Sequence, residues 1–292
     1  MKILYSSFFI AFVTIVLLAT GCKKDKQNPV LPPAISVIRQ KMLPSGDELA
    51  IYNYLYNDDK TLQAVKKITP VNTSPAGNPY TEFNYEKKRV NQIVTKQANG
   101  TSTTQKFVYD GAGRIITSQI IPLIYHEMEN GTFVPNDEIQ YIYNFNYNSP
   151  GKISRIEEVT LKGRYADTES RYYYDYEYNS QKELVKLINY DPGDMSSGGT
   201  WIIDGYSGAV DFDPFAISPL NLTPINPFVL KQIGKLPTSM KFYFNDDING
   251  TVREKKEFTY NLNNKKLDYI NYTYSSFLFT PFTMHYGFDV LY

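Results

Sequence analysis

Along most of the chain, apolar and polar residues alternate with a period of two in short runs broken by polar turns, the pattern of half-buried β-strands. The clearest unit is Phe107-Val108-Tyr109-Asp110-Gly111-Ala112-Gly113-Arg114-Ile115. Phe107 and Tyr109 share one face, Lys106 and Val108 take the other, and Asp110 opens a turn in which Gly111 and Gly113 offer positive φ. The unit is an aromatic-x-Tyr pair, a polar turn and a branched apolar return residue. It recurs at Tyr54-Leu55-Tyr56 with return Leu62, Phe83-Asn84-Tyr85 with Val90, and Phe145-Asn146-Tyr147 with Ile153. Two more copies are Tyr176-Glu177-Tyr178 with Leu184 and Phe258-Thr259-Tyr260 with Leu267. Repetition of this kind predicts an all-β antiparallel meander of about 14 strands, too many for a flat sheet and suited to a closed or strongly curled one.

The strand faces are legible in detail. Tyr172, Tyr174, Tyr176 and Tyr178 fall on one face, and Tyr141, Tyr143, Phe145 and Tyr147 repeat the arrangement one hairpin earlier, with Tyr272 and Tyr274 continuing it. Across neighbouring strands these rings form an aromatic layer that packs a core. The Asn-Gly pairs at 99-100, 130-131 and 249-250 read as type I′ turns.

Residues Phe107 to Ile115 resemble a YD repeat of the rearrangement-hotspot type, with Tyr-Asp, Gly and Arg-Ile in their usual places. The other copies keep the Tyr and the apolar return but mostly carry Asn for Asp. Residues 45 to 292 are similar to Bacteroidetes lipoproteins of unknown function that carry degenerate YD-like hairpins. That resemblance implies a porin-like antiparallel barrel and supplies no activity.

Composition sharpens the all-β reading: 26 Tyr and 17 Phe among 292 residues, with a single Trp, favour strands. With 30 basic and 30 acidic side chains there is no sequence-wide charge to attract nucleic acid. Residues 1–21 read as a signal peptide, with Lys2 ahead of an apolar run from Phe8 to Leu18 that is short for a membrane span. Leu18-Ala19-Thr20-Gly21-Cys22 resembles a bacterial lipobox, which makes Cys22 the lipidated residue and the outer membrane the location, on its periplasmic or cell-surface face. Cys22 is the only cysteine, so no internal disulfide can form. Residues 22–44 then form the lipidated Cys and tether, and residues 45–292 a single hairpin-repeat domain with an insertion at 191–237. Lys186, Arg253, Lys255 and Glu257 stand on faces that would have to meet lipid, so the barrel is expected beside the membrane rather than within it.

The insertion contains the only Trp, at 201, and prolines at 192, 214, 219, 224, 227 and 237. Such density excludes central strands and long helices, while Phe212, Phe215, Ile217, Leu220 and Leu222 argue for packing, as a proline-rich cap or plug. Trp201, Tyr206, Phe212 and Phe215 could present flat faces to a sugar, with Asp204 and Asp211 accepting hydroxyl hydrogen bonds. The alternative is that the same rings are buried in the plug. Asp204, Asp211 and Asp213 lack the spacing of a calcium loop, and His126 and His285 lie in no metal or triad pattern. The sequence therefore predicts no catalytic residue, metal or cofactor. It predicts a non-catalytic envelope lipoprotein with a structural or ligand-binding role, its partners the membrane through Cys22 and a glycan or envelope protein. A glycan-acting hydrolase and an open repeat shell enclosing another polypeptide are the alternatives.

Overall fold

The computed structural model describes residues 34–69, 79–97, 101–122, 124–127, 133–136, 140–149, 151–161, 170–220, 222–244, 250–278 and 280–292. The predicted signal peptide, Cys22 and the three Asn-Gly pairs, at least in part, lie outside them. The first half contributes β1 (Val37–Met42), β2 (Glu48–Tyr56), β3 (Leu62–Ile68), β4 (Tyr80–Glu86), β5 (Arg89–Lys96), β6 (Ser102–Tyr109), β7 (Ile115–Pro122), β8 (Ile124–Glu127) and β9 (Phe133–Asn136). Next come β10 (Gln140–Tyr147), β11 (Ile153–Leu161), β12 (Ser170–Tyr178), β13 (Leu184–Asp191) and β14 (Asp194–Ile203). After helix α1 (Pro227–Ile233) follow β15 (Ser239–Phe244), β16 (Glu254–Asn263), β17 (Lys266–Ser276) and β18 (Phe282–Leu291). β8 and β9 form a separate hairpin. The other sixteen strands make one antiparallel meander that closes into a barrel, because β18 pairs with β1. Closure rules out the open shell, and the count slightly exceeds the one read from the sequence.

The barrel is built from hairpin units that are held together in one way. In each of the six units visible in the sequence, the first aromatic residue (Tyr54, Phe83, Phe107, Phe145, Tyr176, Phe258) is buried inside the barrel. The Tyr two positions later reaches sideways to the preceding unit. Its hydroxyl donates to the carbonyl of that unit's return residue: Tyr109 to Val90 (2.7 Å), Tyr147 to Ile115 (2.7 Å) and Tyr178 to Ile153 (2.8 Å). The Tyr85 hydroxyl meets the backbone of Leu62. Each ring is thus covered while its polar end is satisfied, and burial holds these phenols above their ordinary pKa, to about 12 at Tyr109.

The same contact exposes two units that sequence patterning misses. Tyr206 donates to Leu184 O (2.6 Å), and Tyr260 donates to Pro237 O (2.7 Å), so β14 and β15 are a seventh hairpin. Tyr56 donates to Ile35 O (3.0 Å) and Tyr292 meets the backbone of Leu267, so the eighth unit joins the last strand to the first, β18 to β1, with Ser36 N donating to Leu291 O (2.7 Å). The barrel therefore starts before residue 45. β1 lies inside the stretch assigned to the tether, because its hairpin partner is at the far end of the chain.

The turns explain why Asn replaces Asp so freely. Asp110 accepts the Arg114 N–H (2.8 Å), and Asn148 and Asn179 accept the Lys152 and Glu183 N–H in the same place (both 3.0 Å). One side-chain oxygen is all that the turn needs. The residue before that N–H takes a left-handed conformation: Gly113 (φ 84°) and Gly151 (φ 90°), but also Lys60 and Lys182 (both φ 64°). Gly111, expected to share this role, does not adopt positive φ.

The long interruption is an enlarged hairpin turn. Tyr206 and Pro237 bridge each other, which confines it to residues 207–236 rather than 191–237. β14 forms a central strand inside the predicted boundary because prolines become dense only from 214 onward, after the strand has ended. Within the insertion, Asn226 caps α1 by accepting the Phe228 N–H (2.9 Å), Pro227 takes the first turn, and Gly234 (φ 69°) ends the helix.

This segment fills the barrel at the end where the tight turns lie. Tyr54 donates to Ala216 O (2.6 Å) on one side, and Lys256 donates to Thr223 O (2.6 Å) on another. Phe215 meets Phe83 and Phe107, and Phe228 meets Phe107, Tyr109 and Phe145. Gln232 Oε1 accepts the Ile153 N–H (3.0 Å), Lys235 pairs with Glu183 (2.6 Å), and Asp211 N donates to Lys265 O (3.1 Å). Contacts with strands and turns all around the ring make it a plug, as the composition predicts.

Candidate functional site

Away from the plug, the barrel interior changes character. The inward positions follow from register: Tyr143, Glu158 and Tyr172 are cross-strand partners on one wall, and Phe242 and Glu254 on another. Most of these side chains are half-buried rather than sealed. The plug is thus a floor, and the half-buried inward positions beyond it form a cup.

One wall of the cup is centred on Glu158. Tyr174 donates to its Oε2 (2.9 Å), and the Tyr143 hydroxyl bonds to it as well. Burial first, and then the nearby carboxylate charge, push both phenols well above the ordinary tyrosine range, so both remain donors. Tyr172 packs edge-on against Tyr174 at 5.4 Å and accepts from Asn189 Nδ2 (2.7 Å). The Asn189 Oδ1 is buried and has no hydrogen-bond partner, a cost of about 1–3 kcal/mol.

The adjoining wall, on β14 and β15, carries Trp201, 7% exposed, against Phe242 at 5.1 Å, and Phe242 against Phe244 at 5.4 Å. At its foot Lys256, 5% exposed, places Nζ 5.2 Å over the Trp201 ring while donating to Thr223 O. Burial lowers the Lys256 pKa to about 8.

The six residues predicted to bind ligand are not brought together. Trp201 faces the cup, but Tyr206 is the stitching tyrosine of the seventh hairpin, and Phe212 and Phe215 pack into the core of the plug. Asp204 pairs with Lys241 (2.6 Å) on the outer wall, because it follows the inward-facing Ile203 in the alternation. Asp211 is exposed at the tight-turn end. Asp213 accepts the Phe215 N–H (2.9 Å) and its pKa is raised by burial. Among the described residues no group of three Asp, Glu, His or Cys side chains could hold a metal ion. His285 bonds to Thr273 (3.0 Å) on the outer face.

Sequence reasoning missed Glu158, Asn189, Phe242 and Phe244. The only signal for Glu158 was local: an acid on the inward face of β11 between Ile156 and Thr160, where the alternation calls for an apolar residue.

The outer wall carries ion pairs, among them Arg155–Asp175 (2.5 Å), Arg171–Glu157 (2.8 Å), Lys255–Glu257 (2.7 Å) and Lys41–Asp289 (2.5 Å). Basic side chains facing lipid near the bilayer midplane cost about 2–4 kcal/mol each.

The molecule is thus a closed 16-stranded antiparallel barrel plugged by its own chain. It is similar in fold to a porin-like protein from Bacteroides uniformis, at 15% identity and a TM-score of 0.50, with 89% of this chain and 98% of that chain covered. A porin-like protein from Bacteroides vulgatus aligns at 12% identity and a TM-score of 0.49, covering 88% and 98%. No protein-family model and no curated protein matches the chain.

Proposed function

We propose that this protein is a non-catalytic barrel of the cell envelope, held at the outer membrane by lipid on Cys22, which takes a hydroxyl-rich ligand such as a glycan into the cup above its plug. The observation that carries this reading is the Glu158 wall. A carboxylate, two phenols held protonated and an acceptor lacking a donor are placed together in a half-buried interior, the donor and acceptor set that sugar hydroxyls satisfy. The plug argues against a conducting channel, since it meets the wall all around the bore. The ion-paired outer wall argues for a barrel beside the membrane rather than within it.

The test is calorimetric titration of a soluble glycan panel into the chain from Lys26 onward, which carries every strand. At least one glycan is expected to bind, and Glu158→Gln is expected to weaken it about tenfold, the loss of roughly one charged hydrogen bond, with the far-ultraviolet circular dichroism unchanged. No binding across the panel, or parental affinity in the variant, would overturn the proposal.

A further inference from the structure

Resting on that reading of the cup, we infer that the ligand is held along a ladder of aromatic rings on the wall that adjoins Glu158 and that it is a chain of pyranose rings. The ladder runs from the mouth of the cup to its floor. Phe244, 43% exposed, stands at the rim with Arg253 over its ring at 5.5 Å. Phe242 follows, and Trp201 lies at the foot beside the plug. Exposure therefore falls along the line from solvent to floor.

The rings are held for this arrangement. Phe244 and Gly199 are cross-strand partners, and a Cβ on Gly199 would lie 2.3 Å from the Phe242 ring, so glycine there leaves the space that Phe242 fills. Register also interleaves polar groups with the rings. Glu254 lies opposite Phe242 on the next strand, Ser276 lies opposite Glu254, and the Tyr274 hydroxyl bonds to both. A second rim ring, Phe282, packs on Tyr274 at 5.9 Å. Flat apolar faces alternating with a carboxylate and hydroxyls match a sugar ring, whose C–H face stacks on an aromatic while its equatorial hydroxyls bond sideways. A purely apolar ligand would leave Glu254 desolvated without recompense, and the aromatic faces would contribute little to a compact charged ligand.

The chain supplies its own probe, because Trp201 is the only tryptophan. Titrating hexose oligosaccharides of increasing length into the chain from Lys26 onward is expected to shift Trp201 emission, with affinity rising with length. Phe244→Ala, which removes an exposed rim side chain, is expected to weaken binding of the longer oligosaccharides about tenfold and of monosaccharides hardly at all. Gly199→Ala, by displacing Phe242, is expected to weaken both; thermal unfolding monitored in parallel confirms that each variant is folded. If glycans bind the parent but Phe244→Ala and Gly199→Ala bind them equally well while folded, the ladder assignment falls and the cup reading stands. If no sugar binds the parent, both fall.

Discussion

Removing Asp289-Val290-Leu291-Tyr292 is expected to abolish cooperative folding. The deletion takes out the buried Val290 and the Tyr292 contact to Leu267, with the pairings Val37↔Leu291, Ile38↔Val290 and Arg39↔Asp289. Each buried side chain contributes about 1.5–3 kcal/mol and each ladder hydrogen bond about 0.5–1.5 kcal/mol. Their sum is comparable to the whole stability of a domain, about 5–15 kcal/mol. The loss also cuts the seam that closes the ring to half its length, leaving only Gln40↔Phe288, Lys41↔Gly287 and Met42↔Tyr286. Urea unfolding followed by circular dichroism checks this. A permuted chain, with Tyr292 joined to Ile35 through a turn like Asp110–Arg114 and new ends between Lys87 and Lys88, is expected to unfold cooperatively. A truncated chain that unfolds as sharply as the parent would mean that the eighth hairpin does not hold the barrel shut.

The second large effect is a rise in stability with pH that Lys256→Met removes. Burial lowers the Lys256 pKa from 10.5 to about 8, so between these values the unfolded chain holds a proton that the native chain has released. Stability therefore increases with pH across that window, by up to about 3 kcal/mol in total. Above pH 10 the sign reverses. Tyr54, Tyr176 and Tyr260 have pKa values raised by burial, so the unfolded chain ionises first and stability falls. Lys152, also lowered by burial, adds a smaller slope of the same sign as Lys256. At pH 7 the methionine avoids the cost of burying an ammonium but loses the Thr223 hydrogen bond and the Trp201 contact, together about 2 kcal/mol, so it is expected to be more stable than the parent by about 1 kcal/mol. By pH 10 the order should reverse. Denaturant midpoints from pH 7 to pH 10 provide the check, and parallel profiles would show that Lys256 does not titrate in this window.

These predictions depend on features that differ in how far the sequence reveals them. The hairpins are legible because their determinants are local: Phe107 and Tyr109 share a face by alternation, and Asp110 closes the turn on Arg114 four residues away. The plug is legible from proline and apolar content. Its boundary is not, since the averaged composition of residues 191–237 hides β14, and Tyr206 lacks the preceding aromatic that marks the other units. The closing hairpin is invisible because Ser36 and Leu291 are joined only through space. The cup walls are hidden for the same reason. Trp201 meets Phe242 and Lys256 only once strand order and register are set, whereas Asp204 and Asp211, close to Trp201 in sequence, lie on the outer wall and at the tight-turn end.

The central claim is that plug and barrel end form one unit, which makes the interior a cup with a floor. Native-state hydrogen exchange read by mass spectrometry tests it most directly. The account predicts that the amides of Val229, Leu230 and Leu236 in the plug exchange as slowly as those of Tyr54 and Phe258 in the wall, through the same global opening. Plug amides that exchange orders of magnitude faster while the wall stays protected would contradict it. The segment would then open independently and the barrel would be a gated passage.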